Sequence, residues 1–158
     1  MRRVFIAALA ALLVFSSVAV TPGPAGIVYS QSAWEKDNLD LLARVVNAEA
    51  GGEPYEGQVA VAAVIINRTY AKGFPSTIAG VVYMPGAFES VQIGSIWWLP
   101  MADTVRQAAN DALNGWDPTA GALYFFEPSK VTNPWLWGLP EAITIGHHRF
   151  AYGPNQWQ

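Results

Sequence analysis

The sequence contains no cysteine, which excludes disulfides, thiol nucleophiles and cysteine-based metal sites. Charged residues are also scarce, at 13% of the 158 residues, whereas 52% of the residues are hydrophobic. This balance excludes a disordered chain and predicts one domain with a sizeable core. Nine Lys and Arg accompany twelve Asp and Glu. The basic footprint of a nucleic-acid-binding protein is therefore missing, and no nucleic-acid partner is expected.

The N-terminus has the pattern of a secretory signal peptide, which we place at residues 1–19. Arg2 and Arg3 form a positive segment, residues 4–15 are apolar and uncharged, and small residues at 17–19 suit cleavage. The alternative is an uncleaved anchor over residues 4–20, whose length of about 17 residues is short for a membrane span. Both interpretations put the rest of the chain outside the membrane, and cleavage would leave no stable span.

Residues 20–36 are predicted to be a spacer, because their Pro- and Gly-rich start breaks any helix. The folded domain is then expected at residues 37–158, with Asp37 or Asn38 capping its first helix. Apolar residues at helical spacing predict a helix up to Gly51, a second after Pro54, a short third near residues 76–83, and another that Pro100 or Asp103 opens and Gly115 closes.

The second half of the chain is richer in strand-like patterns. Residues 88–91, 96–99 and 123–126 are predicted strands, residues 135–138 an aromatic loop, and residues 143–152 one or two further strands. Helices first and a small sheet later predict an α+β fold.

Glu49 is the carboxyl group that the pattern singles out. It shares the apolar face of its helix with Leu42 and Val46. A carboxylate on such a face is costly unless it is paired or protonated, and a carboxyl group kept protonated can donate a proton to a glycosidic oxygen. The alternative is a structural glutamate that pairs with Arg44 or Arg68, or that simply occupies the helix end.

Most glycosidases need a second carboxyl group at a defined separation from the first. Each available residue has a local explanation as a cap, a turn residue or part of a polar helix face. These residues are Asp103, Asp111, Asp117, Glu127 and Glu141. The lack of an evident partner for Glu49 favours one acid/base group and a nucleophile supplied by the substrate.

Four further residues are candidates for substrate binding. Trp135 and Trp137 lie in a loop where exposed indoles could stack on a sugar ring, although they could equally cap the core. Tyr124 belongs to a strand whose rings alternate between core and cleft. His148 is the fourth candidate. Because it and His147 point to opposite faces of a strand, no metal site is expected from the pair, and no cofactor is expected.

Four segments together resemble the SleB-type cell-wall hydrolases, a family that includes the spore cortex-lytic enzymes. They are LLARVVNAEA at 41–50, GEPYEGQVAVAAVIINR at 52–68, ALNGWDP at 112–118 and IGHHRF at 145–150. The resemblance runs from about residue 37 to residue 152. It implies a compact domain, lysozyme-like or transglycosylase-like, with a cleft between two lobes and the catalytic glutamate at Glu49.

The resemblance also implies a substrate and a reaction. The enzyme would cleave peptidoglycan between N-acetylmuramic acid and N-acetylglucosamine, with attack by the muramoyl 6-hydroxyl leaving a 1,6-anhydromuramoyl end. It would act outside the cell membrane, in the wall or in the spore cortex during germination. The alternatives are a muramidase or glucosaminidase that uses water, a glycan-binding module without activity, and a metal-dependent amidase built on His147 or His148.

Overall fold

The computed structural model describes residues 31–154, in which helices come first and a three-stranded sheet follows. The predicted α+β class is therefore confirmed. The signal-peptide prediction and most of the predicted spacer concern residues outside this range. No helix within residues 31–154 is long and apolar enough to cross a membrane. The elements are α1 Gln31–Ala50, α2 Tyr55–Tyr70, α3 Ile78–Val82, α4 Glu89–Gln92, a 3-10 turn Ser95–Trp97, α5 Asp103–Leu113, β1 Tyr124–Phe126, α6 Pro134–Trp137, β2 Glu141–Ile145 and β3 His148–Ala151.

Helix α1 begins earlier than the sequence pattern predicts. It starts at Gln31, so part of the predicted spacer is helical, and neither Asp37 nor Asn38 is its cap. The Asn38 amide donates instead to the backbone carbonyl of Trp34 at 3.0 Å, one turn back along the same helix. A short polar side chain in mid-helix can satisfy itself in this way, which removes the capping role that its type suggested.

Helix α2 is the centre of the core. Its predicted start is confirmed, since Pro54 immediately precedes its first residue, and it is buried over most of its circumference. Glycine suits one position of the helix, since a Cβ added to Gly57 would lie 3.3 Å from Cβ of Glu53, closer than an ordinary contact. Val59, which is fully buried, adds about 1.5–3 kcal/mol of stability, as a buried aliphatic side chain typically does. Helices α1 and α5 both pack against α2 and also against each other.

An ion-pair cluster joins α1 to α5. The Asp40 carboxylate accepts from Arg44 Nε at 2.7 Å and from Arg106 Nη1 at 2.9 Å. These hydrogen bonds, that from Arg106 first, hold the pKa of Asp40 below its ordinary value. The side chains are more than a quarter exposed, so the contribution to stability is small, at about 0–1 kcal/mol for each pair.

The two strands predicted at residues 88–91 and 96–99 are wrong. The first segment is the one-turn helix α4 and the second begins in the 3-10 turn. Both apolar anchors, Phe88 and Ile96, are buried against the helices, with 3% and 1% of their surface exposed. Gly94 joins the two turns at a φ of 74°, a left-handed conformation that suits glycine. The apolar residues that suggested strands in these two segments are therefore those by which two short turns pack against the core.

The sheet has the order β1-β3-β2, and all of its pairs are antiparallel. The predicted strand at residues 123–126 and the predicted strands in 143–152 are confirmed. Phe150 on β3 is fully buried and pairs with Phe125 on β1, which fixes the face that β1 turns towards the helices. The aromatic segment predicted as a loop is largely α6, a single turn capped by the Asn133 side chain.

Candidate active site

Glu49 lies in the last turn of α1, on the side that carries the buried core stripe. It is partly buried, and its Oε1 accepts a hydrogen bond from Ser90 Oγ at 2.6 Å. Neither arginine proposed as its structural partner contacts it within residues 31–154, since Arg44 pairs with Asp40 and Arg68 donates to a backbone carbonyl. The carboxylate is thus held by a hydroxyl group and not by a cation.

Ser90 was missed by the sequence reasoning. It sits in α4, and its own carbonyl oxygen accepts from Ser95 Oγ at 3.1 Å, which ties this turn to the next one. The contact with Glu49 spans 41 residues of sequence. The local signal for it is weak, because Glu89 and Ser90 lie within residues 88–91, whose pattern predicts a strand.

His148 is on β3, where 7% of its surface is exposed. Its ring packs edge-on against Phe125 and Phe150, with centroid distances of 5.4 and 6.2 Å. Burial lowers the pKa of His148, although the charges of Glu53, Glu127 and Glu49 oppose this. The ring is therefore neutral at pH 7, and it lies within electrostatic reach of Glu49. Its Nδ1 is sealed from solvent and has no hydrogen-bond partner within residues 31–154.

Glu53 fastens the β2–β3 turn to the α1–α2 connection. Its Oε2 accepts from the backbone N–H of His147 at 2.8 Å, and its Oε1 lies 3.0 Å from the His147 ring nitrogen Nδ1. Gly146 allows this approach, because a Cβ there would overlap Glu53 Oε2 and come 2.8 Å from Pro54 Cδ. Burial would raise the pKa of Glu53, but the two bonds from His147 outweigh it and lower the pKa. We call this arrangement the Glu53 latch.

The residues considered as a second carboxyl group are engaged elsewhere or occupy a helix start. Asp111 accepts from Tyr55 at 2.6 Å, and Glu127 pairs with Lys130 at 2.6 Å. Asp103 begins α5. The other two are held by neighbouring side chains. They are Asp117, which accepts from Asn67 and Thr119, and Glu141, which contacts Arg149 and Thr144. No hydrogen bond joins any of these carboxylates to Glu49 in the described part of the chain.

The four predicted substrate-binding residues fall into two groups. His148 shares one face of the sheet with Phe125 and Phe150, on the Glu49 side. Tyr124 points to the opposite face of β1, where its ring meets Trp135 edge-on at 5.2 Å. The structure therefore brings only His148 of the four towards Glu49.

Trp135 and Trp137 keep 50% and 43% of their surfaces exposed. Trp137 is fixed by an indole hydrogen bond to the Val131 carbonyl at 3.0 Å and by the Arg149 guanidinium over its ring at 5.6 Å. Both indoles are thus accessible, and that of Trp137 is also fixed in place, which suits stacking on a sugar. His147 has a 75% exposed side chain and His148 is buried, so the pair does not converge on one point.

An α+β domain with a partly buried carboxyl group at a helix end and exposed indoles beside its sheet could suit an enzyme that acts on glycans. Residues 52–151 match the family Hydrolase_2, described as Cell Wall Hydrolase. The chain belongs to this cell wall hydrolase family, which confirms the family resemblance of the sequence.

Solved and curated relatives agree with this assignment. The catalytic domain of the germination-specific lytic transglycosylase SleB from Bacillus anthracis has 45% identity and a TM-score of 0.69, over 82% of this chain and 99% of that one. The catalytic domain of Bacillus cereus SleB has 44% identity and a TM-score of 0.69, over 85% and 99%. The spore cortex-lytic enzyme of Bacillus subtilis is 50% identical over 118 residues, which are 75% of this chain but 38% of that protein. The chain thus spans under half the length of that curated relative.

Proposed function

We propose that the protein is a peptidoglycan lytic transglycosylase that cleaves the bond between N-acetylmuramic acid and N-acetylglucosamine. The supporting observation is the setting of Glu49, whose partly buried carboxyl group has Ser90 as its partner and lies near a neutral His148. The similar catalytic domain of Bacillus anthracis SleB is that of a germination-specific lytic transglycosylase. Export to the wall or the spore cortex follows from the predicted signal peptide and belongs to the same proposal.

Glu49 performs both proton transfers in this mechanism. Its protonated carboxyl group donates to the glycosidic oxygen while the bond from the muramoyl C1 to that oxygen breaks. The muramoyl 6-hydroxyl then bonds to C1, and its proton passes to the Glu49 carboxylate, which restores the starting state. The product is a 1,6-anhydromuramoyl end, and no water is consumed.

Ser90 and His148 have supporting roles. The Ser90 hydroxyl stabilises and orients the carboxylate that forms when Glu49 gives up its proton. His148, which is neutral, contacts the bound sugar without competing for the transferred proton. Tyr124, Trp135 and Trp137 bind more distant sugar units, because Tyr124 projects from the opposite face of β1 towards Trp135 and both indoles are exposed.

The test is a digest of purified peptidoglycan with the wild type and with Glu49→Gln, followed by mass spectrometry of the products. Glu35→Gln is the matched control, because Glu35 is an exposed residue of the same helix. We expect anhydromuramoyl ends from the wild type and the control, and a loss on the order of a thousandfold or more in Glu49→Gln. Reducing ends would indicate a hydrolase that uses water, and full activity of Glu49→Gln would refute the assignment.

A further inference from the structure

The two ring nitrogens of His148 differ in their surroundings. Nδ1 is sealed from solvent and has no hydrogen-bond partner among residues 31–154. Nε2 makes no hydrogen bond to a residue of that range either, but it is not sealed. Nε2 therefore lies at the open edge of the ring, which is the part of this buried side chain that a ligand can reach.

These surroundings decide which nitrogen carries the hydrogen. Burial lowers the pKa of His148, so the ring is neutral and has one N–H group and one accepting nitrogen. Nδ1 is sealed where the rings of Phe125 and Phe150 pack against the imidazole. An N–H group without a partner in such a place is rarer than an acceptor with an unused lone pair. The hydrogen is therefore on Nε2, and His148 offers a donor at its open edge.

His147, the other histidine of the chain, has the opposite arrangement. Its Nδ1 lies 3.0 Å from Oε1 of Glu53. The pKa of Glu53 is lowered by its hydrogen bonds from His147, so the carboxylate is ionised and can only accept. The hydrogen that His147 donates is therefore on Nδ1. The two histidines thus differ in the nitrogen that donates, and each serves as a control for the other.

A chain of ring contacts connects His148 to the side of the domain that holds Glu49. Ser90, which donates to Glu49, lies two residues after Phe88. The ring of Phe88 stacks on that of Phe125, with centroids 6.5 Å apart. Phe125 in turn meets the His148 ring edge-on at 5.4 Å. The short helix that supplies the partner of Glu49 is therefore packed against the neighbours of His148.

The Glu53 latch makes a second connection. Glu53 follows Glu49 by four residues, and its Oε2 accepts from the backbone N–H of His147, the residue before His148. The charges of Glu53, Glu127 and Glu49 all act on the His148 ring. The end of α1 and the start of β3 are thus held together. A glycan bound at Glu49 therefore passes close to the open edge of His148.

We propose that the Nε2–H group of His148 donates a hydrogen bond to the acetamido carbonyl of an N-acetylated sugar next to the cleaved bond. The inference rests on the proposed function, and it adds the chemical group that this side of the site selects. A carbonyl oxygen only accepts, so it matches a group that only donates. The Phe125 ring, which is partly exposed beside the imidazole, provides apolar surface for the acetamide methyl group.

The first test determines, without any ligand, which nitrogen of each histidine carries hydrogen. In correlated 1H and 15N spectra of the imidazole rings, a nitrogen that carries hydrogen is well separated from one that does not. The spectra are recorded on the full chain at about pH 8, above the ordinary histidine pKa of about 6.5, and His148→Gln assigns the signals. We expect Nε2–H for His148 and Nδ1–H for His147. Nδ1–H for His148 would overturn the proposal.

The second test measures binding without cleavage. The probes are chitotetraose and cellotetraose, two uncharged glucan tetramers that carry an acetamido group and a hydroxyl group, respectively, at C2 of each sugar. We expect chitotetraose to shift the His148 Nε2 signal and to bind about threefold to tenfold more tightly, which corresponds to one hydrogen bond. Equal binding of the two probes, or no shift at His148 with either, would overturn the proposal.

Two substitutions of His148 separate a donor from a ring that only fills space. The side-chain amide nitrogen of glutamine reaches the region of Nε2, whereas that of asparagine reaches only the region of Nδ1. We therefore expect the preference for chitotetraose to persist in His148→Gln and to disappear in His148→Asn, with the fold of both checked by circular dichroism. Loss of the preference in both folded variants would contradict the donor role. Should His148→Asn fail to fold, the spectra of the wild type still decide.

Cleavage assays distinguish a failure of this inference from a failure of the proposed function. On peptidoglycan, His148→Asn should raise KM about threefold to tenfold and change kcat little, because the contact is present before and during bond cleavage. A lowered kcat with an unchanged KM would count against the contact. Chitotetraose binding at His148 without cleavage of peptidoglycan by the wild type would refute the proposed function and leave the acetamide contact standing. Cleavage by an enzyme that shows no preference for chitotetraose would refute this inference alone.

Discussion

Replacing Gly146 by Ala should break the Glu53 latch and destabilise the domain. The added Cβ would overlap Glu53 Oε2 and press on Pro54 Cδ, so the carboxylate must leave the His147 N–H. Loss of a hydrogen bond to a charged group costs about 1.5–3 kcal/mol. Alanine at the observed φ of 58° adds about 1–2 kcal/mol of left-handed strain. Together these give a free energy of unfolding lowered by about 2.5–5 kcal/mol.

Gly86→Ala is the matched control, because Gly86 has a φ of 75° and a Cβ there would meet no atom within 4 Å. It should carry only the strain, about 1–2 kcal/mol. Urea unfolding followed by tryptophan fluorescence measures both variants against the wild type. We expect Gly146→Ala to be less stable than Gly86→Ala by about 1.5–3 kcal/mol, which is the contribution of the latch. Equal losses in the two variants would refute the reasoning.

The latch also has a signature in the pH dependence. The folded pKa of Glu53 lies below its ordinary value of 4.5, because the bonds from His147 outweigh burial. Its stabilisation is therefore complete above about pH 4.5 and is lost as the pH falls through the lowered folded pKa. The gap between wild type and Gly146→Ala should shrink over that acidic range, while the gap for Gly86→Ala stays constant.

Two further predictions concern single hydroxyl groups. Ser90→Ala should lower kcat about tenfold, because the hydrogen bond to Glu49 is lost. Ser129→Ala, which loses only an exposed hydrogen bond, is the control and should match the wild type. Equal kcat values for Ser90→Ala and the wild type would contradict the role of Ser90. Burial and the neighbouring Asp111 raise the pKa of Tyr55 to about 12, so its stabilisation holds below pH 10 and is lost as the pH rises through 12. Ultraviolet titration should show one phenol ionising near pH 12 that Tyr55→Phe lacks, and an unchanged curve in the variant would be inconsistent with this.

The long elements could be predicted from the sequence, because an apolar stripe repeated over several turns is a strong signal. Helices α1, α2 and α5 follow their stripes, and β1 follows its aromatic run. The helical turns of four residues or fewer could not be predicted. A segment such as α4 is too short to show a period, and its conformation is set by the burial of Phe88 and Ile96 and by the left-handed Gly94.

The candidate site could be predicted only in part, for a similar reason. Glu49 stands out because its own helix supplies the apolar context, which is local in sequence. Ser90 reaches it from a distant segment, and no local pattern encodes that contact. The alternation of Tyr124 and Phe125 was evident, but which of the two faces the helices depends on the pairing of Phe125 with Phe150. Long-range packing decides such contacts.

The surroundings of His148 also explain why one carboxyl group would suffice. Glu53, Glu127 and Glu49 all act on its charge, so they are the carboxylates of this neighbourhood. The pKa of Glu53 is lowered by its bonds to His147, and that of Glu127 by Lys130 and Ser129. Both are ionised near neutrality and cannot donate a proton, and their oxygens already accept hydrogen bonds. Neither Glu53 nor Glu127 is therefore free to act as the general base for an attacking water. The 6-hydroxyl of a bound sugar needs only the carboxylate of Glu49, which has just protonated the leaving group. That favours Glu49 acting alone, with the substrate providing the nucleophile.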